Sequence, residues 1–120
     1  MDDDWVARIL DAFEGIDDVH AIDELARLLS DRFVRYTLYY VTSEPATSLD
    51  ELADVLAGLE AIEHGAIITP AGHEQIRIQL YHIVLPKLAN SGYVRFDRDD
   101  LTVERADIPP SISTVLDGIL

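Results

Sequence analysis

The fold is decided by residues 80–97, LYHIVLPKLANSGYVRFD. In the first half, apolar residues recur at helical spacing, at Leu80, Tyr81, Val84, Leu85 and Leu88. Gly92 follows and can supply the left-handed residue that ends a helix. Residues 93–96 are mostly β-branched or aromatic, residues 97–100 are turn formers, and residues 101–103 can return as a second strand. The stretch therefore predicts a helix, a glycine stop and a β-hairpin.

The composition predicts one folded domain over residues 1–120, because 48% of the chain is hydrophobic and its length supports a single core. The chain has no cysteine, which excludes disulfides, thiol nucleophiles and thiolate metal sites. No apolar run approaches the roughly 18 residues that a membrane span needs. The first four residues, MDDD, lack the basic region of a signal peptide. We therefore expect a cytoplasmic protein without membrane contact.

The chain is strongly acidic, with 23 acidic and 9 basic residues and a formal net charge of −14. Acid excess combined with arginine in place of lysine resembles the proteins of salt-loving archaea, in which molar salt shortens the screening length to about 3 Å. The charge is unevenly distributed along the chain. Residues 71–95 carry one acidic residue, Glu74, and three basic ones, Arg77, Lys87 and Arg95. This segment is therefore the part of the chain best suited to bind a polyanion.

Before the deciding stretch, helices are predicted over residues 31–42 and 49 to about 59. The second has the best-marked start in the chain. Ser48 and Glu51 form a capping box, in which each side chain bonds the other's backbone amide. Residues 43–47, between the two helices, are expected to form a loop.

A long helix is predicted from Pro70 to Asn90, because Thr69 is a good N-cap and proline is favoured at the first helical position. Pro86 lies inside this helix. It predicts a kink or a break near Val84, because proline lacks the backbone N–H and its ring clashes with the preceding turn.

Short motifs over residues 25–105 add a family resemblance to this pattern. They are Leu29-Ser30-Asp31-Arg32, Arg35-Tyr36, Leu38-Tyr39-Tyr40, Ser48-Leu49-Asp50-Glu51-Leu52-Ala53, His73, Ile76-Arg77, Leu80, His82, Leu85-Pro86-Lys87-Leu88 and Gly92-Tyr93-Val94. Together with the order of helices and hairpin, they resemble a haloarchaeal family of small winged-helix domains, mostly uncharacterised and thought to regulate transcription. The resemblance implies a mainly α fold with a small β-hairpin wing, a winged helix-turn-helix with extra N- and C-terminal helices.

The resemblance also implies a protein that binds double-stranded DNA. Such a domain would place its long helix in the major groove while the wing reaches the backbone or the minor groove. Glutamine can contact adenine, and arginine guanine, through paired hydrogen bonds. The predicted DNA contacts are Gln75, Arg77, Gln79, His82, Lys87, Arg95 and Arg98.

The long helix is apolar over too much of its circumference for a free recognition helix. One stripe, assigned to the core, is Ile78, Tyr81, Leu85 and Leu88. A second stripe, which something must cover, is Ile76, Leu80, Ile83 and Val84. Amphipathic terminal helices over residues 2–14 and 111–120 can cover it, and their apolar side chains would be exposed in a monomer. We therefore expect a homodimer with the interface residues Trp5, Ile9, Phe13, Ile112, Val115, Leu116 and Ile119.

An alternative function is protein interaction without direct DNA binding, since winged helices serve both uses and a fold alone does not decide. In that alternative Ile76, Leu80, Ile83 and the terminal helices would dock a partner, and the acidic surface favours it.

The sequence predicts no enzyme, no metal site and no cofactor. The four histidines, His20, His64, His73 and His82, lack metal-binding spacing. Carboxylate pairs such as Asp17-Asp18 and Asp99-Asp100 are expected to solvate an acidic surface. The glycines are scattered and lack the strand-turn-helix context of a phosphate loop.

Overall fold

The computed structural model describes residues 23, 26–65 and 67–119. Their elements, in chain order, are α1 Arg32–Ser43, β1 Ala46–Ser48, α2 Leu49–His64, α3 Pro70–Gln79, a π-helical turn Leu80–Val84, α4 Leu85–Asn90, β2 Val94–Asp97, β3 Thr102–Arg105 and α5 Pro110–Ile119. The predicted mainly helical fold with a small antiparallel hairpin is confirmed. Within these residues no helix is both long enough and apolar enough to cross a bilayer.

The sheet has a third strand, β1, which the sequence assigned to a loop. The strand order is β1-β3-β2, and β1 runs antiparallel to β3 with Ala46 opposite Glu104. Two backbone bonds extend this pairing, Arg105 N–H to the Pro45 carbonyl at 2.7 Å and Leu49 N–H to the Leu101 carbonyl at 2.9 Å. A three-residue strand leaves almost no alternating pattern in the sequence, and β1 forms because β3 supplies its hydrogen bonds.

The predicted helix starts are confirmed by their caps. The Ser48 hydroxyl accepts from Glu51 N–H at 3.1 Å, and the Thr69 hydroxyl accepts from Gly72 N–H at 3.0 Å. The predicted return bond of the capping box is replaced, because the Glu51 carboxylate accepts from the hydroxyls of Thr47 and Tyr40. This carboxylate therefore links α1, β1 and α2.

Helix α2 continues past its predicted end to His64, where Gly65 adopts the left-handed conformation with φ 62°. Gly58, inside the helix, did not stop it. Beyond Gly58, Leu59 packs against the core and Glu60 is buried, so tertiary contacts favour further helix. Tertiary packing commonly outweighs the helix propensity of one residue.

The long helix is continuous from Pro70 to Asn90 but changes its winding at the π-helical turn. The Leu85 N–H bonds the Leu80 carbonyl, five residues back. The turn ends at Val84, where the sequence predicted a kink or a break. Pro86 explains the position, because it can neither donate to the preceding turn nor fit closely against it.

The π-helical turn also corrects the predicted assignment of apolar stripes. The buried residues of the long helix come from both stripes: Ile76, Leu80, Val84, Leu85 and Leu88. Ile78, predicted to be in the core, is 42% exposed, and Ile83 is 51% exposed. Tyr81 is half-buried. The wider turn brings Leu80 and Leu85 to one side, so one core within the chain covers most of both stripes.

The core joins α1, α2, the long helix, the sheet and α5. Ile112 and Leu116 of α5 are each 1% exposed in the single chain. The expectation that Leu116 is exposed in a monomer is therefore wrong, and neither side chain offers surface to a second subunit. The α5 helix packs on α1, which leaves these residues inside.

Candidate nucleic-acid interface

The outer side of the long helix carries the predicted base-contacting residues. Gln75, Gln79 and His82 are all exposed. Their spacing of four and then three residues places them on one side of a helix. The opposite side is fixed in the core, so this polar row faces away from the rest of the chain. Ile78 and Ile83 lie within the same exposed surface.

Two polar contacts, an arginine–carboxylate ion pair and a histidine–carboxylate hydrogen bond, join helix α3 to helix α2. Arg77 Nε lies 2.8 Å from Asp50 Oδ1, and His73 Nε2 lies 2.7 Å from Asp54 Oδ1. Asp50 and Asp54 are one turn apart on α2, while His73 and Arg77 are one turn apart on α3. The pairs therefore form an antiparallel ladder, which we call the α2–α3 ladder.

Sequence reasoning missed the acidic side of this ladder. The available signal was the matching four-residue spacing of Asp50 with Asp54 and of His73 with Arg77. Such spacing puts each pair on one helix face. The fold then has to place the two faces together, which the spacing alone does not predict.

Asp50 pairs with the predicted DNA contact Arg77 and stabilises its positive charge. The hydrogen bond to Asp50 raises the pKa of the Arg77 guanidinium, burial acts in the opposite direction, and the charge of Asp50 adds to the rise. The Arg77 side chain is 32% exposed. Arg77 is therefore a half-buried cation that already holds an acidic partner.

The predicted hairpin contact Arg95 is also paired. It lies opposite Glu104 in the β2–β3 register, and its Nη2 is 3.0 Å from Glu104 Oε2. Both side chains are more than half exposed, at 68% and 55%. Pairs exposed in this way are worth about 0–1 kcal/mol. The Arg95 guanidinium is therefore only weakly held.

Arg98, at the hairpin turn, contacts the long helix. Its guanidinium carbon lies 5.5 Å from the centre of the Tyr81 ring, within range of a cation–π interaction. Tyr81 also meets the Phe96 ring edge-on at 5.8 Å and the neighbouring His82 ring at 4.8 Å. These rings bring Arg98 and His82 to the same junction between hairpin and helix.

Lys87 is exposed on α4. In the part of the chain that the structure describes, Lys87 and Arg98 are the predicted contacts that carry a positive charge without a carboxylate partner. The structure thus brings all seven predicted contacts to the surface of the long helix and hairpin and divides the cations into two paired and two unpaired.

The hairpin adds acidic groups to this surface. An open cavity of about 650 Å³ is lined by Arg95, Phe96, Asp97, Arg98, Asp99, Asp100, Thr102 and Glu104. Hydrogen bonds from the Thr102 hydroxyl and backbone lower the pKa of Asp100. The segment that looked non-acidic in sequence therefore borders carboxylates contributed by α2 and the hairpin.

Two of the four histidines contact carboxylates of helix α2. His64 lies 3.2 Å from Glu60 on α2, and His73 belongs to the α2–α3 ladder. Among residues 23, 26–65 and 67–119, no three histidine or acidic side chains are grouped so as to hold a metal ion. His20 lies outside the described residues.

Five of the seven predicted dimer residues have side chains outside the part of the protein that the structure describes. Trp5, Ile9 and Phe13 lie outside the described residues, as do the side chains of Val115 and Ile119.

One family match was found for the chain. Residues 26–104 match the family described as "Domain of unknown function (DUF7344)". No curated protein and no solved structure matches the chain.

Proposed function

Because the chain belongs to the family described as "Domain of unknown function (DUF7344)", the site itself must indicate the activity, and we propose a DNA-binding transcriptional regulator with a winged-helix fold. The element order supports the fold part of the proposal. A helix-turn-helix pair, α2 and the long helix, is followed directly by a hairpin, and β1 completes the sheet in the order β1-β3-β2. In such a domain the second helix of the pair enters the major groove.

One observation carries the proposal: the exposed row of Gln75, Gln79 and His82 on a helix whose other side is fixed in the core. Amide side chains on a rigid helix can contact base edges in the major groove, with adenine as the preferred partner of glutamine. Rigid support matters because contact with bases requires a fixed position relative to the groove.

Phosphate contacts would come first from Lys87 and Arg98, which among the predicted contacts are the cations without a carboxylate partner in the described part of the chain. Arg98 is held over Tyr81 at the junction with the helix, where it would contact the backbone beside the groove. Such contacts set position and register, while the helix row supplies sequence preference. Because two of the four cations among the predicted contacts are paired with carboxylates, sequence-independent affinity should be low, and the preferred sequence should bind mainly through base contacts.

We further propose that the protein acts as a cytoplasmic homodimer in a halophilic archaeon. The acid excess and single lysine support the saline setting. Trp5, Ile9, Phe13, Val115 and Ile119 are the proposed dimer residues, and two-fold symmetry would set the long helices about 34 Å apart on successive major grooves.

Selection from a pool of random-sequence duplexes tests the proposal, with purified protein in KCl from about 0.1 M to about 3 M, where screening changes most. We expect one enriched sequence motif. The double variant Gln75→Ala/Gln79→Ala should lose preference for it by about tenfold or more, since each bidentate base contact is worth about 1–3 kcal/mol. Glu44→Gln, an exposed change at the end of α1, should keep it. A folded wild type that enriches no sequence at any salt concentration would exclude this function.

A second candidate function is supported by Ile78 and Ile83, which are exposed on the same helix side as the glutamines. They could dock an apolar face of a protein partner, which would explain why two cations are already paired. Ile76 and Leu80, the other residues expected in such a surface, are 5% and 0% exposed and belong to the core. The variant Ile78→Ser/Ile83→Ser separates the two functions: it should abolish protein docking but leave enrichment of a DNA sequence largely intact.

A further inference from the structure

The ion pair between Arg77 and Asp50 has unequal members. The Arg77 side chain is 32% exposed, while that of Asp50 is 71% exposed. Arg77 Nε donates to Asp50 Oδ1 at 2.8 Å. A well-solvated carboxylate therefore holds a half-buried guanidinium on the helix that also presents Gln75 and Gln79.

A carboxylate oxygen and a phosphate oxygen bind guanidinium with the same geometry and the same sign of charge. We infer that Asp50 is a built-in competitor of DNA phosphate for Arg77, so that Arg77 binds the backbone only by exchanging one acidic partner for another. This inference rests on the proposed DNA-binding function and names how that site is regulated.

The pair is placed so that exchange is possible. Because Asp50 is mostly solvated, breaking the pair returns its carboxylate to water and leaves no buried charge behind, so the pair is a weak one. By contrast, the side chain of Glu60, which pairs with Arg32, is only 11% exposed. A phosphate could displace Asp50 but not Glu60.

Exchange has a distinctive salt signature. A phosphate neutralised by a free arginine releases counterions, which adds about 0.9 to the slope of log affinity against log salt. Salt also screens the pair between Arg77 and Asp50, so the cost of breaking that pair falls as the salt concentration rises, which offsets part of the effect of the release. Arg77 should therefore add less to the salt slope in the wild-type protein than a free arginine would.

The test is Asp50→Asn, measured by fluorescence anisotropy against the duplex enriched by the wild type and against a shuffled duplex. Removal of the competitor should raise affinity for both duplexes by about twofold at about 0.1 M KCl and steepen the salt slope by up to about 0.9. Adding Arg77→Gln to this variant should remove both gains, because they depend on the freed guanidinium.

Asp54→Asn is the matched control. Asp54 is 75% exposed, lies one turn from Asp50 on α2 and pairs with the same helix through His73. This variant removes one negative charge and one rung of the α2–α3 ladder without freeing Arg77, so it should leave the slope unchanged. Thermal unfolding of each variant checks the fold, and Asp50→Ser replaces Asp50→Asn if the amide destabilises α2.

The outcomes separate the two proposals. If Asp50→Asn binds more strongly and has a steeper salt slope while Asp54→Asn does not, Asp50 competes with phosphate for Arg77. Two results would show that Asp50 does not compete with phosphate while the DNA-binding function stands. In both, the wild type enriches a motif, but either Asp50→Asn binds no better than the wild type or Asp54→Asn gains as much affinity. If neither the wild type nor any folded variant binds a duplex, the DNA-binding function fails and the competitor fails with it.

Discussion

Helix α2 makes polar contacts with two neighbours in two different ways. Toward α1, Glu60 receives Arg32 through two oxygens, Nε to Oε2 at 2.9 Å and Nη2 to Oε1 at 2.8 Å. Toward α3, Asp50 and Asp54 form the α2–α3 ladder with side chains that are 71% and 75% exposed. The carboxylate is therefore nearly buried on the α1 side and solvated on the α3 side, while the cations are partly exposed on both, Arg32 at 49% and Arg77 at 32%. Because the distances are alike, we expect the burial of the carboxylate to decide how much each pair stabilises the fold.

The buried side continues with Tyr36, which is 2% exposed and whose hydroxyl donates to the Glu63 carboxylate. Burial, the hydrogen bond and the nearby charge of Glu63 all raise the pKa of Tyr36. Tyr36, Arg32, Glu60 and Glu63 thus form one polar cluster at the contact between α1 and α2, which we call the α1–α2 cluster.

The largest expected effect is on Glu60. Glu60→Ala should lower the free energy of unfolding by about 2 kcal/mol, because it removes charge-assisted hydrogen bonds from a mostly buried site while Arg32 stays half exposed. Urea unfolding measures the loss. The substitution Glu44→Ala, at an exposed acidic residue directly after α1, should change stability by less than about 0.5 kcal/mol. An equally small loss for Glu60→Ala would contradict the expectation that the buried carboxylate stabilises the fold.

A smaller effect is expected for Tyr36→Phe, which removes the hydroxyl that reaches Glu63 and should cost about 1 kcal/mol near neutral pH. Because folding raises the pKa of Tyr36, this contribution is fully present below the ordinary tyrosine pKa of about 10 and declines as pH rises through the folded-state value. Unfolding curves of wild type and variant should therefore converge above about pH 10. An advantage of the wild type over the variant that grows above about pH 10 would reject the assignment.

The smallest effect is expected in the α2–α3 ladder. A double-mutant cycle on Asp50 and Arg77 should give a coupling free energy of about 0.5 kcal/mol or less, which approaches zero in molar KCl. The same cycle on Arg32 and Glu60 should give a larger value that salt reduces less. Equal couplings with equal salt dependence would remove the contrast between the two sides of α2.

Much of the fold could be predicted because its signals are local. Ser48, Thr69 and Pro70 mark helix starts through caps that need only neighbouring residues. Gly92, with φ 82°, ends the long helix as its position after Leu88 suggested. Each of these signals acts within one turn of chain, where sequence and structure are most directly related.

The errors arose where the partner is distant in sequence. Strand β1 depends on β3, more than fifty residues later, and its own three residues carry little pattern. Ile78 faces outward relative to Leu85 and Leu88 because a π-helical turn separates them, and the regular α-helical period does not predict such a turn. Arg77 looked like a free cation because Asp50 lies on another helix, 27 residues away. The candidate site could therefore be located from sequence, while its electrostatic state could not.

The π-helical turn, Leu80–Val84, has a consequence for helical phase. It holds one residue more than a regular turn, and one residue corresponds to about 100° of rotation in an α-helix. The segment before it, with Gln75, and the segment after it, with Leu88, thus have independent angular settings. Removal of a single residue here would turn one segment by about a quarter of a revolution, so that either the outer row or the core contact would face the wrong direction. The extra residue of this turn, just before Pro86, therefore sets the direction in which the exposed row faces about the helix axis.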